Sequence, residues 1–328
     1  MVAEYKTGVT LELDWTADYG EIGVWDPHLR FLMELRAHES VVFHLATIGD
    51  TLYTCSNDGT IKAWDIDTLE HKKTLLQYDS EVWRFFAAQG RLYAGDVQGT
   101  VRVYENDELL RIYDLTEEVR DMAVSTQLLY TVRDRDLVIT ELLPGPKGRA
   151  VTRQTIEGSS PMCLVGDMIC FVSRSARDIL VHDNTKQSSF KELGQIQAHE
   201  MIINTLCPEG NSIVYSGGYD TKVKKWDVSN MKLLDSCDIG RSISALCIGS
   251  RGQIYVAGSS GYIARLDSNI DRARASTASD RHTGSLLSVF PDRITENSLV
   301  PEQYWLTIAK SETRKIGTLI KQGGKQET

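Results

Sequence analysis

His38, Thr54 and Asp58 bring an imidazole, a hydroxyl and a carboxylate into one short stretch of chain, and His199, Ser216 and Asp220 do so again. These are the groups of a nucleophilic relay, in which a base takes the hydroxyl proton and a carboxylate orients the base. A Trp completes each set. The hydroxyl stands ten residues before Trp64 or Trp226, and the Asp six before. A relay has no use for an indole at fixed spacing. A buried indole needs an acceptor for its N–H, and a buried imidazole needs both nitrogens occupied. The four residue types read as a closed hydrogen-bond chain in a protein interior, so no catalytic residue is assigned.

Other reactive chemistry is sparse. The sequence has no GxxxxGK[ST], HExxH or GxSxG. His28, His44, His71 and His182 stand alone. Cys55, Cys163, Cys170, Cys207, Cys237 and Cys247 form no CxxC, and no His lies at ligand spacing from a Cys pair. No metal site and no cofactor is expected. Asp134/Asp136 and Glu117/Glu118 fall in turns or at strand starts and read as solvated acids. The net charge of −9 disfavours nucleic acid as a ligand. Unpaired thiols, an N-terminus without an apolar leader, and no apolar run of the roughly 18 residues a membrane span needs point to the cytoplasm or nucleus, with no membrane partner.

The elements that hold these residues repeat. Hairpins like that of Trp64-Asp65 end at Asp26, Asp65, Glu105, Leu142, Asp183, Asp227 and Asp267, at spacings of 37 to 44 residues. A period near forty marks a β-propeller. Thr60, Lys62 and Ile61, Ala63 alternate polar with apolar, as Thr100, Arg102 and Val101, Val103 do, which is the pattern of strands. Turn residues at 57–59, 97–99 and 259–261 separate them. Upstream of each hairpin lies an inner strand whose buried residues are expected three apart: Val42 and Leu45, Trp83 and Phe86, Val119 and Met122, Ile203 and Leu206, Ile243 and Leu246, Leu286 and Val289. The outer strands are more polar, as edges facing water are.

With this period and these two residue sets, the chain resembles the WD40-repeat family over roughly residues 9 to 290. The resemblance implies that His38 and His199 bond Thr54 and Ser216, that Asp58 and Asp220 bond the imidazoles, and that the Trp64 and Trp226 indoles bond the hydroxyls. It implies an all-β fold, a seven-bladed β-propeller of four-stranded antiparallel blades; eight blades, one incomplete, is the alternative. Residues 1–290 would form the propeller, its ring closed by a strand at 284–290 paired with the N-terminal hairpin. Residues 291–328 would form an extension, a loop followed by an extra hairpin. The remaining units depart from the pattern. Tyr104 stands at one Trp position, with Asp79 at the His and Gln98 at the Asp position. Glu141, His182 and Leu266 occupy other Trp positions, and Trp25 is accompanied by Tyr19 in place of the Asp. These units are expected to hold by packing.

The resemblance implies a non-catalytic scaffold that binds protein partners through loops on one face. Candidate contact residues are Glu39, Asn57, Trp83, Gln98, Arg133, Arg135, Arg174, Arg177, Tyr219 and Arg241, with Trp83 read more readily as core. The arginines of "VRDRD" and "SRSAR" would form a docking patch for an acidic or phosphorylated partner segment, set against the plainer reading of self-paired surface charge. Arg272, Arg274 and Thr277 have the spacing of a basic-directed kinase site. Two alternatives stand. One is a substrate receptor of a ubiquitin ligase, although Asp67 and Ser229 occupy the places where one docking pattern of the family has a basic residue. The other is a propeller enzyme with a metal in its channel, although the inner strands are apolar at Val42, Val119, Ile203 and Ile243. A G-protein β-subunit role is disfavoured, since no coiled-coil segment precedes the first unit.

Overall fold

The computed structural model describes residues 2–4, 10–12, 20–26, 28–77, 80–143, 148–185, 187–249, 252–266, 276–277 and 305–307. Six four-stranded antiparallel sheets follow one another along the chain, each a meander in sequence order. The first blade comprises Val42–Ile48, Thr51–Ser56, Thr60–Asp65 and His71–Gln77. The second spans 82–114, the third 121–157, the fourth 159–197, the fifth 203–238 and the sixth 243–277. The innermost strands of consecutive blades lie side by side, which is the arrangement of a propeller.

The blade count differs from expectation. Among the described residues there are six four-stranded blades rather than seven, and the eight-blade alternative does not match either. The hairpin ending at Asp26 does not belong to a four-stranded meander. Gly20–Trp25 pairs at its start with Phe31–His38, while Trp25 at its end faces both Thr10 and Trp305. With Val2–Glu4 these strands make a five-stranded sheet out of sequence order. Counting Trp-Asp endings counts hairpins, and a hairpin supplies only two of the four strands. Val2–Glu4 lies against the inner strands of the sixth blade and of the first. The strand expected at 284–290 lies outside the described residues, whereas Trp305–Thr307 pairs with Gly20–Trp25.

The core lies between blades. Tyr53, Cys55, Ile61 and Ala63 of the first blade pack on Val82, Phe85, Leu92 and Ala94 of the second. Leu52 and Trp64, on the other face of the first blade, pack on Ile22, Val24 and Leu35. A middle strand is therefore buried on both faces, and its sequence is apolar or small throughout. Gly217 shows how close the blades come: a Cβ there would lie 2.7 Å from Cγ2 of Ile243 in the next blade. In the second blade the buried residues are Val82 and Phe85, one position earlier than Trp83 and Phe86. The inner strand bulges between its pairs at Val82 and Arg84, and the bulge turns Trp83 out of the core.

The blades without a Trp set use other polar anchors. In the second, Asp96 is fully buried and accepts hydrogen bonds from the backbone of Gln98 and Thr100 and from Arg102 Nη1 at 2.7 Å. In the third, strand register puts Thr140 rather than Glu141 opposite Leu129, where Trp64 stands opposite Leu52. In the fourth, His182 takes that place, its Nδ1 2.9 Å from the carbonyl of Phe190. The Asp96→Ala variant leaves the Arg102 guanidinium buried without its carboxylate. It is expected to lose about 3–5 kcal/mol, read as a lowered urea midpoint, and an unchanged midpoint would contradict the anchor.

Candidate functional site

Strand direction decides which loops share a face. In each meander the connector entering the inner strand and the turn between the second and third strands lie at the same end. His38 and His199 sit where a connector begins, and Asp58 and Asp220 sit in such turns. In the first blade Trp64 Nε1 lies 3.0 Å from Thr54 Oγ1, which lies 2.6 Å from His38 Nε2, and His38 Nδ1 lies 2.9 Å from Asp58 Oδ2. In the fifth blade the corresponding distances are 2.8 Å for Trp226 to Ser216, 2.6 Å for Ser216 to His199 and 2.8 Å for His199 to Asp220.

The chemistry of the atoms fixes every proton. An indole N–H only donates, so the Thr54 oxygen accepts from Trp64. The Thr54 hydroxyl then gives its own proton to His38 Nε2, and the remaining imidazole proton, on Nδ1, goes to the carboxylate. Asp58 also accepts from the backbone N–H of Glu39 at 3.3 Å and of Thr60 at 2.9 Å. Asp220 does the same for Glu200 at 3.3 Å and Lys222 at 3.4 Å. Each carboxylate thus ties a connector to a turn, and together they hold the loops of this face in place.

Burial lowers the imidazole pKa of both His38 and His199, against the pull of the adjacent carboxylates. Burial by itself would raise Asp58 and Asp220, but the hydrogen bonds from the imidazoles and turn outweigh it and leave both carboxyls low. Neutral imidazole beside carboxylate is therefore the resting state. The groups match those of a hydrolytic relay, yet Thr54 and Ser216 are fully buried, and each hydroxyl is occupied by an indole on one side and an imidazole on the other. A substrate carbonyl cannot reach them. Among the described residues no three His, Cys, Asp or Glu side chains are grouped to hold a metal.

The candidate contact residues lie on the face the locks organise. Asn57, Gln98, Arg133, Arg135, Arg174, Arg177 and Tyr219 are in turns between second and third strands, and Glu39 and Arg241 are in connectors. The arginines are mostly matched by acids of the chain itself. Arg133 pairs with Glu117 and Asp136, Arg174 with Glu157 at 2.8 Å, and Arg135 Nε lies 3.9 Å from Asp134. Arg241 stacks its guanidinium over the Tyr262 ring at 5.6 Å. Trp83 Nε1 donates to Glu81, and its ring meets Phe43 edge-on. Thr277 is in the outer strand of the sixth blade opposite Ala264, while Arg272 and Arg274 lie outside the described residues.

Two features were in the sequence and went unread. Leu52-Tyr53, Leu92-Tyr93, Leu129-Tyr130, Val214-Tyr215 and Ile254-Tyr255 repeat an apolar-Tyr pair in second strands. Two of these tyrosines bridge to the following blade, Tyr53 to Asp107 and Tyr130 to Asn184, each at 2.5 Å. Met201 and Ile202, beside Tyr219, are the other: two large apolar residues in a loop.

The sequence profile described as "WD domain, G-beta repeat" matches residues 29–65 and 190–227, the segments that contain the two locks. These two segments match the WD40 repeat, and the matches support a WD40-type β-propeller. Its fold is similar to the WD40 β-propeller domain of Doa1, with a TM-score of 0.64 and 16% identity, covering 78% of this chain and 87% of that one. Over 116 residues it is 33% identical to "Putative E3 ubiquitin-protein ligase LIN-1" of Lotus japonicus, covering 34% of this chain and 8% of that protein. Over 291 residues it is 21% identical to the ribosome biogenesis protein YTM1 of Phaeosphaeria nodorum, covering 82% of this chain and 59% of that protein. The chain spans less than two thirds of the length of either relative. WD40 locks predict a graded response at the indole. Trp64→Ala should cost about 3–5 kcal/mol by loss of packing, and Trp64→Phe about 1–3 kcal/mol by stranding a buried hydroxyl, both read from urea unfolding.

The locks also predict acid sensitivity. The unfolded chain binds protons to these imidazoles and carboxylates more readily than the folded chain does. Stability is then fully present above the ordinary imidazole value of 6.5, falls as pH drops below it, and falls again beneath the ordinary carboxyl value of 3.8. Thermal unfolding against pH checks this. The H38Q/H199Q double variant should lose most of the first fall, with buried His44, also held low, supplying a remainder.

Proposed function

We propose that the chain is a non-catalytic platform that binds protein partners through the connectors and turns of the lock-bearing face. The observation that carries this reading is that the polar groups able to do chemistry are spent on fixing those loops. A loop held by Asp58 or Asp220 loses little freedom when a partner settles on it, which favours binding. The family likeness supports the same reading, since WD40 propellers generally bind proteins. The narrower role of ubiquitin-ligase substrate receptor has the LIN-1 match in its favour, over about a third of the chain. The six free thiols suit a reducing compartment, cytoplasm or nucleus.

Quantitative affinity purification of the full chain tests the platform. A variant changed at Asn57, Gln98 and Tyr219 on the lock-bearing face is expected to lose the partner set. A variant with Asp67→Lys and Lys232→Glu, at the opposite ends of the blades, is expected to keep it. Partners indifferent to the first variant would contradict the proposal.

A further inference from the structure

The two locked blades share one hydrogen-bond chain and differ in the loops above it. In the first blade the connector carries Ser40 and Val41 and the turn carries Asn57, whose amide donates to the Ser40 hydroxyl at 3.4 Å. The fifth blade has Met201, Ile202 and Tyr219 at the corresponding places. Their exposures are 52%, 49% and 51%, among the largest of any apolar side chains described. The Tyr219 N–H donates to the Ile202 carbonyl at 2.9 Å, which sets turn against connector. The lock requires neither Met201 nor Tyr219, because the first blade builds it beneath Ser40 and Asn57, with Val41 at the place of Ile202. Packing does not require them either, because half of each side chain remains in water. A cluster of this kind on a rigid surface marks a contact site.

A cation flanks it. The Arg177 carbonyl accepts from His199 N–H at 3.0 Å, and the Ala176 carbonyl accepts from Ile203 N–H at 2.8 Å, so the turn of the fourth blade runs along the same connector. Arg177 is exposed and has no ion pair among the described residues, unlike Arg133, Arg135 and Arg174. Its neighbour Asp178 is engaged by the hydroxyls of Ser173 and Ser175. The acid of the connector, Glu200, lies 3.9 Å from Lys222. Arg177 is thus left without an acid partner among the described residues, on a molecule whose net charge is −9.

We propose that Met201, Ile202 and Tyr219, with Arg177 beside them, form a docking site for a short segment of a partner protein that presents an apolar side chain next to a carboxylate. This rests on the platform reading and adds the partner's chemistry. Tyr219 supplies a rigid aromatic anchor, Met201 adapts to the shape of the incoming side chain, and the Arg177 fork takes the carboxylate.

The test is selection of a phage-displayed random peptide library on the immobilised full chain, followed by titration of the enriched peptides by fluorescence polarisation. Enriched peptides are expected to combine a large apolar residue with a nearby Asp or Glu. Tyr219→Ala should weaken them about tenfold or more. Arg177→Glu should weaken them and remove most of the salt dependence. Asn57→Ala, at the equivalent place in the first blade, should change nothing. These residues are exposed, so an unchanged melting temperature identifies a folded variant. No enrichment, peptides without an acid, or binding indifferent to Tyr219→Ala would overturn the site. A concentration-dependent dimer abolished by Tyr219→Ala, seen by sedimentation, would assign the patch to a second copy and also overturn it. Partner capture lost on changing Asn57 and Gln98 but indifferent to Tyr219→Ala overturns this site alone. Capture indifferent to every substitution on the face overturns the platform as well.

Discussion

A single proton order runs through both locks, from indole to hydroxyl to imidazole to carboxylate, and the loop face depends on it. Only the carboxylate end reaches the loops, where Asp58 and Asp220 each gather an imidazole and two backbone N–H groups. The indole end is buried between blades, among Leu52, Leu45 and Ile22 in the first case and Val214, Leu206 and Ile196 in the other. Packing of the core and placement of the loops are thus coupled through one side chain. An imidazole that took a second proton would force the hydroxyl to turn its own proton away from Nε2 and accept there instead, breaking the order. Burial, which keeps the imidazole neutral, also keeps the order intact.

Blades without the chain show what the fold itself demands. Asp96 and Arg102 make a short buried ion pair where the first blade has Ser56 and Lys62. Lys62 meets a carbonyl, that of Ala37, at 2.8 Å. The residue that ends the second strand varies, from Ser56 and Asp96 to Val132, Val172, Gly218 and Gly258. Packing between blades is more uniform, with the Tyr53 and Tyr130 hydroxyls tying one blade to the next in addition to their rings.

Much of this was legible in the residues. The two lock sets stood out because four residue types matched twice at fixed spacing, and the forty-residue period gave an all-β propeller. The number of blades did not follow, because the strand ending at Trp25 takes one partner, Trp305–Thr307, from far along the chain, and hairpins look alike in sequence whatever they pair with. Trp83 was misplaced by one position because Val82 and Phe85 are apolar and three apart just as Trp83 and Phe86 are, and spacing does not choose between the two pairs. The charge state of the arginine loops was also out of reach. "VRDRD" shows acids and arginines together, but Glu117 and Glu157, which complete the pairing, come from other stretches of chain. Met201 and Ile202 directly precede Ile203 of an inner strand, and only their exposure in the folded chain shows that they face water.

The central claim is that neutral His38 and His199 each carry their proton on Nδ1 and accept at Nε2. Nitrogen-15 NMR of the imidazole side chains at pH 7 tests it directly. The account predicts two histidines with a protonated, hydrogen-bonded Nδ1 and an unprotonated Nε2, both lost from that state on removing Trp64 and Trp226. Imidazolium signals at these positions, or the proton on Nε2, would contradict it.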